Sequence, residues 1–177
     1  MEANTAIYEG LKSFLDFGDA DAENLKSLGP IMETHGKTLT DRFYEKLAGV
    51  PETARLIEGR VDALKQTHAR WMSELFAGDY GEGYFHSRWK IGLTHVKVGV
   101  PPHYVEAVVS FLRVESEHVL SKELTGDDIA NKHGSLTKIL DLDLMIINLA
   151  YAFERVDRLC QFTGMSRKLI ERCIEKG

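Results

Sequence analysis

Proline and cysteine are scarce in this chain, as are long apolar runs and any excess of positive charge. Four prolines in 177 residues leave long stretches with nothing to break a helix. The two cysteines, Cys160 and Cys173, match no zinc-ligand spacing and read as free, reduced thiols. No stretch of eighteen or more residues is uniformly apolar, so the sequence offers no membrane-spanning helix. The start, MEANTAIYEG, lacks the basic segment, apolar core and cleavage site of a secretory signal, and a cytoplasmic protein is expected. Lysine and arginine number 22 against 27 aspartate and glutamate, and they are scattered. No basic stripe for nucleic acid or anionic lipid results.

Motifs for side-chain catalysis are missing too. There is no GxSxG, and neither cysteine neighbours a histidine that could activate it. Glu115-Ser116-Glu117-His118 contains one Glu-x-x-His, but a di-iron bundle needs two, so this cluster reads as a solvated helix edge. Asp19, Asp21 and Glu23 imitate the head of a calcium loop; Asn24 stands where that loop needs glycine, and helix capping is the better reading. Gly36-Lys37-Thr38 imitates the end of a phosphate-binding loop, with Ile31 in place of the required first glycine. The chain is accordingly read as a binding protein and not an enzyme.

What remains is helical. Hydrophobic residues make up 44% and charged residues 28%, ordinary for one folded domain, and no segment alternates strictly in the manner of a strand. Helical periodicity predicts segments over about Thr5 to Phe17, Ala22 to His35, Lys37 to Leu47, Pro51 to Ile57, Arg60 to Phe76, Gly81 to Val98 and Pro102 to Lys122. Thr125 to Gly134 reads as loop or short helix. Ser135 to about Cys160 is apolar on nearly all sides, which predicts burial against both the core and a partner. Met165 to Lys176 reads as an amphipathic tail. Seven or eight helices with short connections fit a globin-like or other non-bundle helical architecture better than four long rods.

Two histidines interrupt apolar helix faces. His95 shares a side with Tyr84, Arg88, Ile91 and Val98, and Gly99 with Pro101-Pro102 ends its helix. His68 takes a leucine-like position between Leu64 and Trp71. Such a histidine is either a satisfied core residue or a ligand. A flat apolar cofactor with a central iron would use the Ile91, His95 and Val98 side as one wall and the Leu64, His68 and Trp71 side as the other. The same residues would also serve a cofactor-free core.

Four blocks, RFYEKL from Arg42 to Leu47, LKQTHARWMSELFAG from Leu64 to Gly78, RWKIGLTHVKVGVPPHYV from Arg88 to Val105 and LDLDL from Leu140 to Leu144, together resemble the haem domain of globin-coupled sensors. They occur in the family's order, and the resemblance runs from about Ala22 to Arg158. It implies an all-α, globin-like helical sandwich with an extra N-terminal helix and a short C-terminal tail. Residues 1–160 would form the sensor globin domain and 161–177 a tail or the start of a linker. It also implies haem b, non-covalent since no CxxCH is present, and a homodimer formed through the last two long helices.

Residue by residue, the resemblance makes His95 the proximal iron ligand and Tyr44 the distal tyrosine that donates a hydrogen bond to a diatomic gas. Leu64 and Thr67 match positions lining the distal pocket, with Thr67 a second polar contact. Trp89 and Tyr104 match aromatic wall positions on the proximal side, while Trp71 is placed on the cofactor wall by the helical face it shares with Leu64 and His68. At His68 many family members carry a nonpolar residue. Its imidazole either ligates iron from the distal side or points along the haem edge toward a propionate. The expected function is a haem-based oxygen sensor, with carbon monoxide and nitric oxide as further ligands. A stand-alone globin for gas binding or nitric oxide detoxification and a cofactor-free dimerisation module are the alternatives. His35, His86, His103, His118 and His133 are expected at the surface or at helix ends.

Overall fold

A computed structural model describes residues 2–176, which form eight α-helices and, among the described residues, no strand. The leading helix α1 (Glu2–Phe14) is docked, not loose. Tyr8 is fully buried, its hydroxyl donates to the Tyr80 carbonyl at 2.9 Å, and its ring stacks on Phe85 at 5.4 Å.

The second helix, α2 (Asp19–Ala48), is one rod where the sequence predicts two. Gly18 caps it, and the Asp21 carboxylate accepts the Gly18 N–H at 3.1 Å, so the early acidic residues do serve the helix N-terminus. The expected break at Gly36 does not occur. A Cβ there would lie 3.1 Å from Met72 Sδ, so this glycine lets another helix approach closely and does not end its own. Pro30 also stays inside the helix.

A short α3 (Pro51–Ile57) starts on its proline, and α4 (Val61–Leu75) and α5 (Glu82–Val98) follow. Gly99 ends α5 at φ 78°, and the Val100 N–H closes the turn on the His95 carbonyl at 2.9 Å. Next come α6 (Pro102–Glu123) and α7 (Asp127–Thr163). The polar stretch before Ser135, read as loop or short helix, is the first two turns of α7, with Asp127 and Asp128 at its N-terminus. The last helix is α8 (Arg167–Lys176). It rests on α7 through Ile170 and through Arg167, whose guanidinium lies 4.1 Å from the Phe153 ring centre.

The core lies where α5, α6 and α2 cover α7, with Leu25, Leu28, Phe85, Leu120, Leu136, Ile139, Leu142 and Ile146 almost fully buried. The α5–α7 crossing is the tightest. A Cβ on Gly92 would meet Ala150 Cβ at 2.6 Å and the Ile147 carbonyl oxygen at 2.9 Å, so α5 is seated on α7 at a glycine one turn before His95.

Glu115 departs from the expected solvated edge: it is buried on α6 and ion-paired to Arg42 on α2, while Glu117 and His118 are exposed as expected. Cys160 is half-buried and Cys173 exposed, both free. No described helix is long and apolar enough to cross a membrane.

Candidate functional site

Two small apolar clusters adjoin the main core, with Val108, Phe111 and Leu144 packed between them and it. One joins Phe43, Tyr44 and Ile57 with Leu64, Val108 and Phe111, and so draws on α2, α3, α4 and α6. The other joins Val105, Ile147 and Tyr151 with Ile91, Val96 and Val100, drawing on α5, α6 and α7. Helix α6 floors both. Helix α4 packs mainly on α2, and α5 mainly on α7, so the histidine-bearing helices are not packed broadly on each other.

His68 belongs to the first cluster. Its ring lies against Phe43 at 4.9 Å and Trp71 at 5.1 Å, and meets Tyr44 edge-on at 6.2 Å. Nδ1 is 3.0 Å from the Thr40 hydroxyl, whereas Nε2 is buried and has no partner among the described residues. His95 lies beside the second cluster, half-buried, and its Nδ1 is likewise buried without a partner. Burial pushes both imidazoles down to about 4, so at neutral pH each is uncharged and carries a nitrogen lone pair. That is the form in which histidine binds a metal.

Tyr44 is buried, and burial raises its phenol to about 12. It therefore stays protonated at neutral pH, and among the described residues no hydrogen bond occupies its hydroxyl. Leu64 is packed against it. The structure thus brings together Tyr44, Leu64, His68 and Trp71.

The other sequence-derived candidates lie elsewhere. Thr67 is exposed and its hydroxyl donates to the Ala63 carbonyl of its own helix at 3.1 Å. Trp89 packs between Phe85 at 5.7 Å and Phe153 at 5.6 Å. Tyr104 donates to Glu52 at 2.6 Å, tying the start of α6 to α3. None of these three makes a hydrogen bond or ring contact to the His68 group among the described residues. Val98, expected on the His95 wall, is 40% exposed. His35 and His86 pair with Glu123 and Glu82, His103 is exposed, and His133 is half-buried with Nε2 enclosed.

A buried polar group behind Trp71 escaped the sequence reading. Asp143 on α7 accepts the Trp71 indole N–H at 2.7 Å, the Tyr84 hydroxyl at 2.5 Å and Arg88 Nε at 2.9 Å. Arg88 is fully buried, also pairs with Glu74, and lies 3.9 Å from the Tyr84 ring centre. Burial pushes the Asp143 carboxyl up; the Arg88 charge and the Tyr84 and Trp71 hydrogen bonds pull it back. The signal was present as two opposite charges on apolar faces, in RWKIG and LDLDL. Helices α4, α5 and α7 are pinned together at this carboxylate.

A separate cleft of about 510 Å³ runs between α2 and α4, lined by residues that include Lys37, Thr40, Asp41, Lys65 and Met72. It uses a different face of α4 from that of Leu64, His68 and Trp71.

A sequence model of the Protoglobin family matches residues 5–168. The chain belongs to the Protoglobin family. It is similar to the globin domain of a Geobacter sulfurreducens globin-coupled sensor, at 36% identity and a TM-score of 0.77, over 81% of this chain and 96% of that one. The globin domain of Escherichia coli DosC, crystallised in a ferric form, has the same fold: TM-score 0.68 at 18% identity, over 82% of this chain and 98% of that one. As a protoglobin, the chain has the expected fold, with α1 as the extra leading helix and α8 as the tail.

Proposed function

We propose that this protoglobin is a haem-based oxygen sensor domain, with His95 as the proximal ligand of haem b and His68 as an internal distal ligand. The observation that carries the reading is the pair of uncharged histidines on α4 and α5, each with a buried ring nitrogen lacking a partner. Burying a polar nitrogen without a hydrogen bond costs about 1–3 kcal/mol, and a metal bond removes that cost. The two apolar clusters around Tyr44 and Ile91 supply walls suited to a flat apolar ring. The residues therefore fit haem.

When bound, haem supplies the iron at which a diatomic gas is held. The protein's own residues do the rest. Tyr44 offers a phenol O–H as hydrogen-bond donor. Leu64, Phe43 and Ile57 exclude water around it. His68 competes with the incoming gas and lowers its affinity in proportion to its own occupancy. Trp71 lies against His68 on one side and bonds Asp143 of α7 on the other, so a move of His68 is felt on α7.

Signalling across a homodimer of α6 and α7, a cytoplasmic location and the absence of enzymatic activity belong to the same reading. Residues 1–160 would then be the sensor and 161–177 its tail, with α7 running a few residues past that boundary to Thr163.

Optical spectroscopy tests the proposal. The purified chain is expected to show a Soret band after haem addition, and His95→Ala to lose most of its haem on a desalting column. A wild-type chain without a Soret band, or a normal haem spectrum in His95→Ala, sinks it.

A further inference from the structure

We propose that Thr40 is the positioning residue that orients His68 and so sets how strongly this internal ligand competes with gas. The inference rests on the reading of His68 as a distal ligand and names what holds it in place.

The geometry is specific. Phe43 and Trp71 pack against the His68 ring, each tilted 37° to it. These ring contacts do not distinguish one ring nitrogen from the other. The Thr40 hydroxyl does, as the one polar partner of the ring among the described residues, at 3.0 Å from Nδ1. Thr40 is itself 5% exposed, so water does not readily replace it.

The proton count then follows. A neutral imidazole carries one N–H and one lone pair. With no acceptor for Nε2 among the described residues, the proton is better placed on Nδ1, where it donates to Thr40 Oγ1. Nε2 is left as a bare lone pair, the form that ligates iron. Partners of this kind on the second nitrogen fix tautomer and ring orientation, and their loss typically weakens metal binding by about 10–100-fold.

The placement has a further consequence. Thr40 and Tyr44 are one turn apart on the unbroken α2. The anchor of the internal ligand and the hydrogen-bond donor for the external one thus move as a unit.

The test compares ferric and deoxy-ferrous spectra of the haem-loaded full chain for wild type, Thr40→Val, Thr40→Ser and His68→Ala. Wild type is expected to be largely six-coordinate and low-spin, and His68→Ala high-spin. Thr40→Val should weaken the His68–iron equilibrium by about 10–100-fold and speed carbon monoxide association, while Thr40→Ser, which keeps the hydroxyl, stays near wild type. A ¹⁵N spectrum of the His68 ring in the haem-free chain should show the Nδ1–H tautomer in wild type and its loss in Thr40→Val.

If His68→Ala changes the spectrum and Thr40→Val does not, the role of Thr40 is overturned and His68 stands as a ligand. If His68→Ala leaves the spectrum unchanged, the distal-ligand reading falls and Thr40 with it. A wild-type chain that takes up no haem overturns both.

Discussion

Gly92 and Ala150 face each other so closely that a methyl group at position 92 would come within 2.6 Å of the Ala150 methyl. The backbones of α5 and α7 meet there, and the position of His95 is set by that contact. Because Ile147 contributes backbone atoms to the same crossing, no rotamer change can make room. Gly92→Ala is expected to push the helices apart and lower stability by about 1–3 kcal/mol despite alanine's higher helix propensity. Urea unfolding measures the loss, and the rate of haem transfer to apomyoglobin should rise in parallel. A variant as stable as wild type would show that the crossing yields.

Asp143 is expected to be the most sensitive position outside the histidines. Asp143→Asn leaves the buried Arg88 guanidinium facing a neutral group and should cost about 3 kcal/mol. Replacing both partners by apolar residues, Arg88→Met with Asp143→Leu, should cost less than the sum of the two single changes, because no fully buried charge is left unpaired and Glu74, which loses Arg88, is part-exposed. Strict additivity in the urea midpoints would contradict a coupled pair.

Oxygen release reports on Tyr44. Tyr44→Phe removes one hydrogen-bond donor from an otherwise apolar group and should speed oxygen dissociation by about tenfold, equivalent to a single hydrogen bond. Stopped-flow release in the wild type and variant decides it; equal rates would take Tyr44 out of the ligand site.

The pH dependence of the haem-free chain follows from the two histidines. Folding holds both at about 4, against an ordinary value of 6.5. Between these values the unfolded chain binds protons that the folded chain refuses. Their contribution to stability is therefore complete above about pH 6.5 and is lost as pH falls toward 4. A drop on the order of 2 kcal/mol per histidine is expected across that window. Unfolding free energies at pH 7, 6 and 5 measure it. Replacing both histidines with alanine should flatten the profile, and an unchanged slope would contradict the assignment.

Helix identity, caps and the two histidine faces were legible in the sequence because each rests on local spacing. Gly99 with Pro101-Pro102 ends α5 as local rules require. Gly36 misled for a long-range reason: its lack of a side chain serves Met72 on another helix, and nothing within α2 reveals that. The polar start of α7 reads in the sequence as loop or short helix because it has no apolar stripe; its helicity rests on continuity with the buried turns that follow. The pairings of Thr40 with His68 and of Arg88 with Asp143 span 28 and 55 positions, beyond the reach of local spacing. A lone threonine on a helix face has no periodic signal, whereas the Arg88–Asp143 pair had one, in charges placed where the pattern called for apolar residues.

Helix α7 is about 55 Å long, and its last thirteen residues run about 20 Å past Ala150. Over that length most side chains are exposed, including Leu159 and Phe162. A rod gripped near its middle and carrying only the short α8 at one end magnifies rotation. A tilt of about 5° at the grip sweeps the tip by roughly 2 Å, with each residue still on its 1.5 Å rise. The same bond that fastens Trp71 to Asp143 thus sits on the short arm of a lever, and Thr163 rides on the long one.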